Sequence, residues 1–342
     1  MVEPSLRLMR RQNGKGGRRM GLKTPSGGMN KTVGPEVLAI GDVLMDYQYW
    51  VDRFPQRGGD VKILMSSCSP GGSAANTAFS LALLGIRCGF CGRIGKDAAG
   101  RRVEERMRNA GLDLSCMQYG DDTGYTVTII DDRSERTMLS FRGAAGEPLE
   151  LTAALRQTLQ TVRVLLLSGY LLADAAQARF AVEAAGMTRR AGGLVALDAS
   201  PNIENVPPDI LREALAVTDI LLPNRREMQA ITGVWETGAG LDALLRRVPI
   251  AALKLGAEGS ALGIRGEYAE TGRWHIPAAE VTPLDTTGAG DAFNAGFLAS
   301  YLRGEKPEDW LRAGNALAAR AISQKGAVPF DGMEEKVCAG VG

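Results

Sequence analysis

The chain is predicted to fold as an α/β protein, with a mostly parallel central sheet flanked by helices and a small β-sheet lid. Three observations lead there. Short apolar runs recur at 37–41, 162–167, 193–197, 219–222 and 250–255 with helical patterns between them, and strands that alternate with helices build right-handed crossovers around a parallel sheet. Two further pairs of extended segments, 46–51 with 60–67 and 124–130 with 135–141, have no helix between their members. They read as hairpins beside the main sheet, a small lid. Loops carrying Gly41, Asn224 and Gly256 follow three of the apolar runs, and in such sheets ligands bind beyond the carboxyl ends of the strands.

Residues 1–33 set Arg7, Arg10, Arg11, Lys15, Arg18, Arg19, Lys23 and Lys31 against the single acid Glu3. A segment so basic and glycine-scattered cannot bury a core and is read as a disordered extension. The folded domain is taken as 34–332, with lid segments near 46–68 and 122–142, and 333–342 as a C-terminal tail. Of the 342 residues 45% are apolar and 23% charged, ordinary proportions for a globular protein. A net charge of +1 gives no reason for a nucleic-acid or anionic-membrane partner, and no run of about twenty apolar residues is present. The cysteines number five, not the even set of a secreted framework, and a reducing cytoplasmic setting is expected. Cys88 and Cys91 form a C-x-x-C pair, but His275 is the only histidine and no second pair completes a zinc site. Buried strand residues are the reading preferred for both.

Along the folded part, Val37–Gly41 is a buried strand that feeds a loop. Asp46 follows it, and two carboxylate oxygens suit adjacent sugar hydroxyls, although a turn residue would look the same. Gly71 and Gly72 permit close backbone approach to a ligand or simply a turn. Asn76 offers a donor and an acceptor, or is a polar helix residue. Asp131 to Ser134 is a hairpin turn. Pro223-Asn224-Arg225-Arg226-Glu227 opens a helix in which Asn224 caps and Glu227 completes a capping box.

The stretch with most chemical content is Asp285-Thr286-Thr287-Gly288-Ala289-Gly290-Asp291. It runs directly into Ala292, Phe293, Ala295, Phe297, Leu298 and Tyr301, an apolar set at helical spacing. Glycines at a helix N-terminus leave amide groups unobstructed and unpaired, a site for phosphate. A carboxylate at the end of that cradle either favours the helix dipole or takes a proton from an alcohol during phosphoryl transfer. Spacing alone does not separate the two.

This heptapeptide resembles the C-terminal signature of the ribokinase-like (PfkB-type) carbohydrate kinases. A second segment, Gly71-Gly72-Ser73-Ala74-Ala75-Asn76-Thr77-Ala78, followed by Leu84-Gly85 and by Gly92 to Asp97, is similar to the family's N-terminal signature. The likeness spans roughly 37–329. It implies an ATP-dependent phosphotransferase that passes the γ-phosphoryl group to a hydroxyl of a sugar or sugar derivative, with Asp291 as general base and Gly288, Ala289 and Gly290 as the anion cradle. It implies Asp46, Gly71, Gly72 and Asn76 for the acceptor and Asn224, Glu227, Lys254, Gly256, Gly259 and Asn315 for the nucleotide. Mg²⁺ accompanies ATP, with Glu227 acting on it through water, and K⁺ is an option at Asp285 and Ala327. A homodimer through the lid is implied as well.

The sequence departs from the family at Leu44, where ribose-specific members carry a polar residue, and at Ser168-Gly169-Tyr170, where an acidic hydroxyl ligand is usual. Ribose is therefore not assigned. A nucleoside kinase of the same fold is the alternative, on Tyr47, Tyr49, Trp50 and Phe141. A non-catalytic sugar-sensing protein is the alternative of another class.

Overall fold

In the computed structural model, residues 34–133, 135–266 and 269–324 are described. The basic segment 1–33, Ser134, Ala327 and the 333–342 tail lie outside them. From the amino end come β1 (Val37–Ile40), β2 (Leu44–Val51), β3 (Ile63–Gly71), α1 (Ser73–Leu83), β4 (Cys88–Cys91), β5 (Arg93–Gly95), α2 (Ala98–Asn109), β6 (Gln118–Gly120), β7 (Thr123–Ile130), β8 (Arg136–Gly143) and α3 (Ala153–Leu159). There follow β9 (Val164–Ser168), α4 (Ala175–Arg190), β10 (Leu194–Asp198), α5 (Pro208–Ala216), β11 (Ile220–Leu221), α6 (Arg225–Thr232) and α7 (Thr237–Leu245). The chain continues through β12 (Ile250–Lys254), β13 (Ser260–Ile264), β14 (Gly272–Ile276), α8 (Ala289–Leu302) and α9 (Pro307–Ile322).

Eight strands form the main sheet in the order β14-β13-β12-β11-β10-β9-β1-β4. All neighbours are parallel except β12 with β13 and β13 with β14. Its central strands are buried on both faces, which is why they read as unbroken apolar runs. In β1, Val37 and Ala39 face the layer of α1, α8 and α9, while Leu38 and Ile40 face that of α3 to α7. The expected α/β architecture is present. Of the antiparallel pair β13–β14, β14 escaped the apolar-run criterion because it alternates between partly covered and exposed residues at the sheet edge, and β13, although buried throughout, is broken by Ser260 and Gly263. The 219–222 run is shortened to two paired residues: Asp219 accepts from the Val195 amide through its side chain, and Pro223 cannot donate.

A separate four-stranded sheet, order β3-β2-β7-β8, is the small lid. Its β7–β8 hairpin turns at Asp131, whose side chain accepts from the amides of Arg133 and Glu135. Cys88 and Cys91 are buried in β4 as free thiols, and burial pushes both pKa values upward, so they fill the core. No helix among the described residues is long and apolar enough to cross a membrane.

α8 is enclosed: every residue from Ala292 to Leu302 is buried, and it packs against α1 and α9. Glycines bring α8 and α9 close, since a Cβ on Gly296 would meet the Ala313 carbonyl oxygen at 2.4 Å. Beyond this contact Trp310 of α9 sits edge-on to Phe297 and Tyr301 of α8. Gly296→Ala is therefore expected to destabilise by about 1–3 kcal/mol through overpacking against backbone that cannot yield, read as a lower urea midpoint with an unchanged slope.

Candidate active site

Two glycine turns, each opening a helix, bring the functional groups together. Gly288 takes a left-handed conformation (φ 73) as the N-cap of α8, so Asp291 falls in the first turn. Gly72 (φ 110) stands at the same place before α1, where a Cβ would meet the Asp42 carbonyl oxygen at 2.4 Å. The two helix starts abut. Asn76 Nδ2 donates to Asp291 Oδ2 at 2.8 Å and Ser73 Oγ to Asp291 Oδ1 at 2.7 Å. The amides of Gly290 and Asp291 have no hydrogen-bond partner among the described residues, as first-turn amides facing a ligand would not.

Asp46 reaches the same place from the lid. Its carboxylate lies over Gly71, where a Cβ would come within 1.8 Å of Asp46 Oδ2. Burial and then the charge of Asp291 push the Asp46 pKa up to about 6. Asp46, Gly71, Asn76 and Asp291 thus form one cluster. Asn76 is 5% exposed and its Oδ1 has no partner among the described residues, an acceptor held ready.

Strand alternation settles which lid residues accompany Asp46. Its cross-strand neighbours are Ser69 and Thr126, and Thr126 faces Ser140. One step along, Gln48 stands beside Ser67 and Thr128. Tyr47, Tyr49 and Phe141 lie on the opposite face, where Tyr47 meets Tyr125 and Tyr125 meets Phe141. These three aromatics, offered by the sequence for a nucleoside base, do not share the face of Asp46. Trp50 does.

On the other side of Asp291 lies a group of charges. Lys254, at the end of β12, donates to Asp198 Oδ1 at 2.8 Å and to Asn294 Oδ1 at 3.2 Å. Its Nζ lies 3.7 Å from where a Gly290 Cβ would be, beside the anion turn. Burial opposes its charge, but Asp198, Glu227 and Asp291 outweigh that and raise its pKa. Glu227 is 4% exposed and closes the capping box: Asn224 donates its amide to Oε2 and its side chain to Oε1. Burial, offset by Lys254 and reinforced by Asp198, lifts the Glu227 pKa to about 7. Burial and then Asp198 lift that of Asp291 to about 6, against hydrogen bonds from Asn76 and Ser73. Carboxylates outnumber the one ammonium beside an anion cradle, and among the described residues no three acidic, histidine or cysteine side chains group closely enough to hold a metal ion by themselves.

Other expected residues are placed differently. Gly256 and Gly259 frame the turn after β12 with positive φ values of 62 and 91, and a Cβ on Gly259 would meet the Ile276 carbonyl oxygen at 2.0 Å. Asn315 spends its amide nitrogen on the carbonyls of Ile276 and Pro277, 3.1 and 3.3 Å away, which ties α9 to the chain after β14. The Asp285 carboxylate accepts from Arg136 Nη2 at 2.7 Å and from the Thr287 amide at 2.9 Å. Sequence reasoning passed over Ser73, Asp198 and Arg136. Asp198 was visible as a lone acid ending an apolar strand, and Ser73 as the polar residue after Gly72.

The profile of the pfkB family carbohydrate kinases matches residues 35–331. The chain belongs to that family. It is 29% identical over 307 residues to a ribokinase of Arabidopsis thaliana, covering 86% of this chain and 78% of the relative. It is 32% identical over 295 residues to an ATP-dependent ribose-1-phosphate kinase of Halopiger xanaduensis, covering 85% and 93%. Among solved structures it superposes on Arabidopsis thaliana ribokinase complexed with ribose and ATP with a TM-score of 0.75 and 26% identity, over 87% of this chain and 95% of that one. This member of the pfkB family is a carbohydrate kinase.

Asp46, Asp291 and Glu227 have higher pKa values folded than unfolded. Between about pH 4 and 7 the folded chain therefore holds more protons than the unfolded one, and stability falls as pH rises through that window. The thermal midpoint of the ligand-free protein, followed from about pH 5 to about pH 7.5, is expected to drop, and Asp291→Asn to reduce the drop. A midpoint that climbed equally in both proteins would contradict this account of the cluster.

Proposed function

We propose that Asp291 is the general base of this kinase and that its acceptor is a sugar or sugar derivative held by Asp46 and Asn76. What supports the base is a single juxtaposition: a partly buried carboxylate, tied to α1 by Ser73 and Asn76, in the same helix turn as amides that lack partners. A carboxylate with a pKa near 6 is ionised at neutral pH yet basic enough to take a hydroxyl proton as the phosphoryl group arrives. The amides of Gly290 and Asp291, with the α8 dipole, face the charge that develops on the transferred group, while that of Ala289 donates to the Thr286 carbonyl at 3.4 Å. Mg²⁺ brought with ATP neutralises the nucleotide phosphates, and Glu227 would hold it through water. Closure of the lid over the acceptor keeps water from competing as acceptor.

A sugar is favoured over a nucleoside because the face around Asp46 carries hydroxyls and an amide, from Ser69, Thr126, Ser140, Ser67 and Gln48. Of the four aromatics that would favour a nucleoside base, Tyr47, Tyr49 and Phe141 turn away from that face and only Trp50 shares it. The intact anion turn and base favour an active kinase over a sugar sensor without turnover. The requirement for ATP suits the cytoplasm; among the described residues Cys88, Cys91 and Cys116 are free thiols, whereas Cys68 is disulfide-bonded, against the expectation of an all-reduced chain.

The lid supports a homodimer. Ile63 and Leu64 on one edge strand of the lid and Met138 and Leu139 on the other are 52–63% exposed, apolar side chains of the kind that mark protein contacts. Asp291→Asn is expected to bind ATP and turn over about 10² to 10⁴-fold more slowly, measured by coupled ADP release over a panel of pentoses, hexoses, sugar acids, sugar phosphates and nucleosides. In the unsubstituted enzyme kcat/KM should decline below about pH 6 as the base takes up its proton. Near-normal turnover by Asp291→Asn excludes its role as base; a preference for nucleosides excludes the sugar assignment. Leu64→Glu combined with Leu139→Glu should convert a dimer to a monomer in sedimentation, and an unchanged sedimentation coefficient removes the lid as the contact.

A further inference from the structure

The Asp291 carboxylate is linked to a second one. Ser73 Oγ lies 2.7 Å from Asp291 Oδ1 and 2.7 Å from Asp198 Oδ2. A hydroxyl has one proton to give, so with both carboxylates ionised only one is served. Both contacts are satisfied together once a further proton is present: Asp291 Oδ1–H donates to Ser73 Oγ, and Ser73 O–H donates to Asp198 Oδ2. That is the protonation state left when a base at Asp291 has accepted the acceptor's proton.

The far end of the link is a second buried carboxylate. Asp198 is 7% exposed and ends β10 in the interior. Its other oxygen accepts from Lys254 Nζ at 2.8 Å. Lys254 in turn reaches Asn294 Oδ1 at 3.2 Å, and Asn294 Nδ2 is buried without a partner. Charged or titratable groups facing Asp291 are Asp198 of β10, Lys254 of β12, Asp46 of β2, Glu227 of α6 and Tyr170 after β9. Among the bonds formed by described residues, only Ser73 joins Asp291 to another of them directly.

We infer that Ser73 and Asp198 form a proton relay behind Asp291. This rests on Asp291 acting as base. The acceptor O–H bond breaks and an O–H bond forms on Asp291. From Asp291 Oδ1 that proton passes to Ser73 Oγ while the Ser73 proton passes to Asp198 Oδ2. One proton moves from the acceptor hydroxyl to Asp198; no electron moves and no further reactant is required. Asp198, once neutral, no longer balances Lys254, and the ammonium beside Gly290 is freed to counter the phosphoryl charge at the anion turn. Ser73 and Asp198 act through Asp291 and Lys254, as positioning residues that do not touch the acceptor.

The test compares pH profiles of kcat and kcat/KM for the full-length enzyme and for Ser73→Ala, Ser73→Thr, Asp198→Asn and Asp291→Asn. Each is assayed with ATP, Mg²⁺ and whichever panel acceptor the unsubstituted enzyme turns over fastest. Ser73→Ala should lower kcat by about 10-fold or more with little change in acceptor KM, and Ser73→Thr should restore most of it. Asp198→Asn should move the acidic limb down by about one pH unit or more, since it removes the like charge nearest Asp291 and leaves Lys254 there. Alanine suits the first helical position, so the Ser73 pair decides the question even where Asp198→Asn does not fold. Full kcat in Ser73→Ala, or an unmoved acidic limb in a folded Asp198→Asn, overturns the relay. When Asp291→Asn is slow in the same series, the base assignment survives that failure; when it is fast, both fall.

Discussion

The contact on which the site depends is the meeting of two helix N-termini around one carboxylate. Asn76 and Ser73 come from the start of α1, and Asp291, separated from them by 215 and 218 residues, from the start of α8. Each helix directs its positive end at the same point, and each starts at a glycine because the entering backbone has positive φ. The enclosed packing of α8 against α1 and α9 keeps the two ends in register. Take that packing away and the base, the amide pocket and the acceptor ligands cease to be one site.

The arrangement is electrostatically costly for the empty protein. Asp46, Asp198, Glu227 and Asp291 share a small volume with Lys254 as their main counter-charge, and burial raises the pKa of three of the four. Such shifts gather where chemistry needs them. Lys254 offsets part of that repulsion, and, although burial opposes its charge, its own pKa is raised by the carboxylates around it.

The lid is tied to the main body at two points. Arg142 Nη2 of β8 lies 2.6 Å from Asp42 Oδ2 beside the Gly72 turn, and Arg136 of the same strand holds Asp285 and Thr287 before α8. Both arginines are partly exposed, and ion pairs of that kind add little to stability. Their consequence is geometric. One strand is held near both glycine turns.

Local sequence determined a good deal. Apolar runs of buried parallel strands, the absence of crossovers at 46–67 and 124–141, the capping box at Asn224 and Glu227, and the two glycine turns are all short-range patterns governed by backbone sterics and burial. The family signatures carried Asp291, Asp46 and Asn76 for the same reason: a turn of fixed shape needs a fixed string of residues. What the chain order could not disclose depends on distances between segments far apart in it. That Ser73 would bridge Asp198 and Asp291, that Lys254 would pair with Asp198, that Arg136 would cover Asp285, and that Tyr47 and Phe141 would turn away from Asp46 were decided by sheet order and strand register. Hydrogen bonds and charge pairs act over a few ångströms, and only the tertiary structure says which side chains come that close.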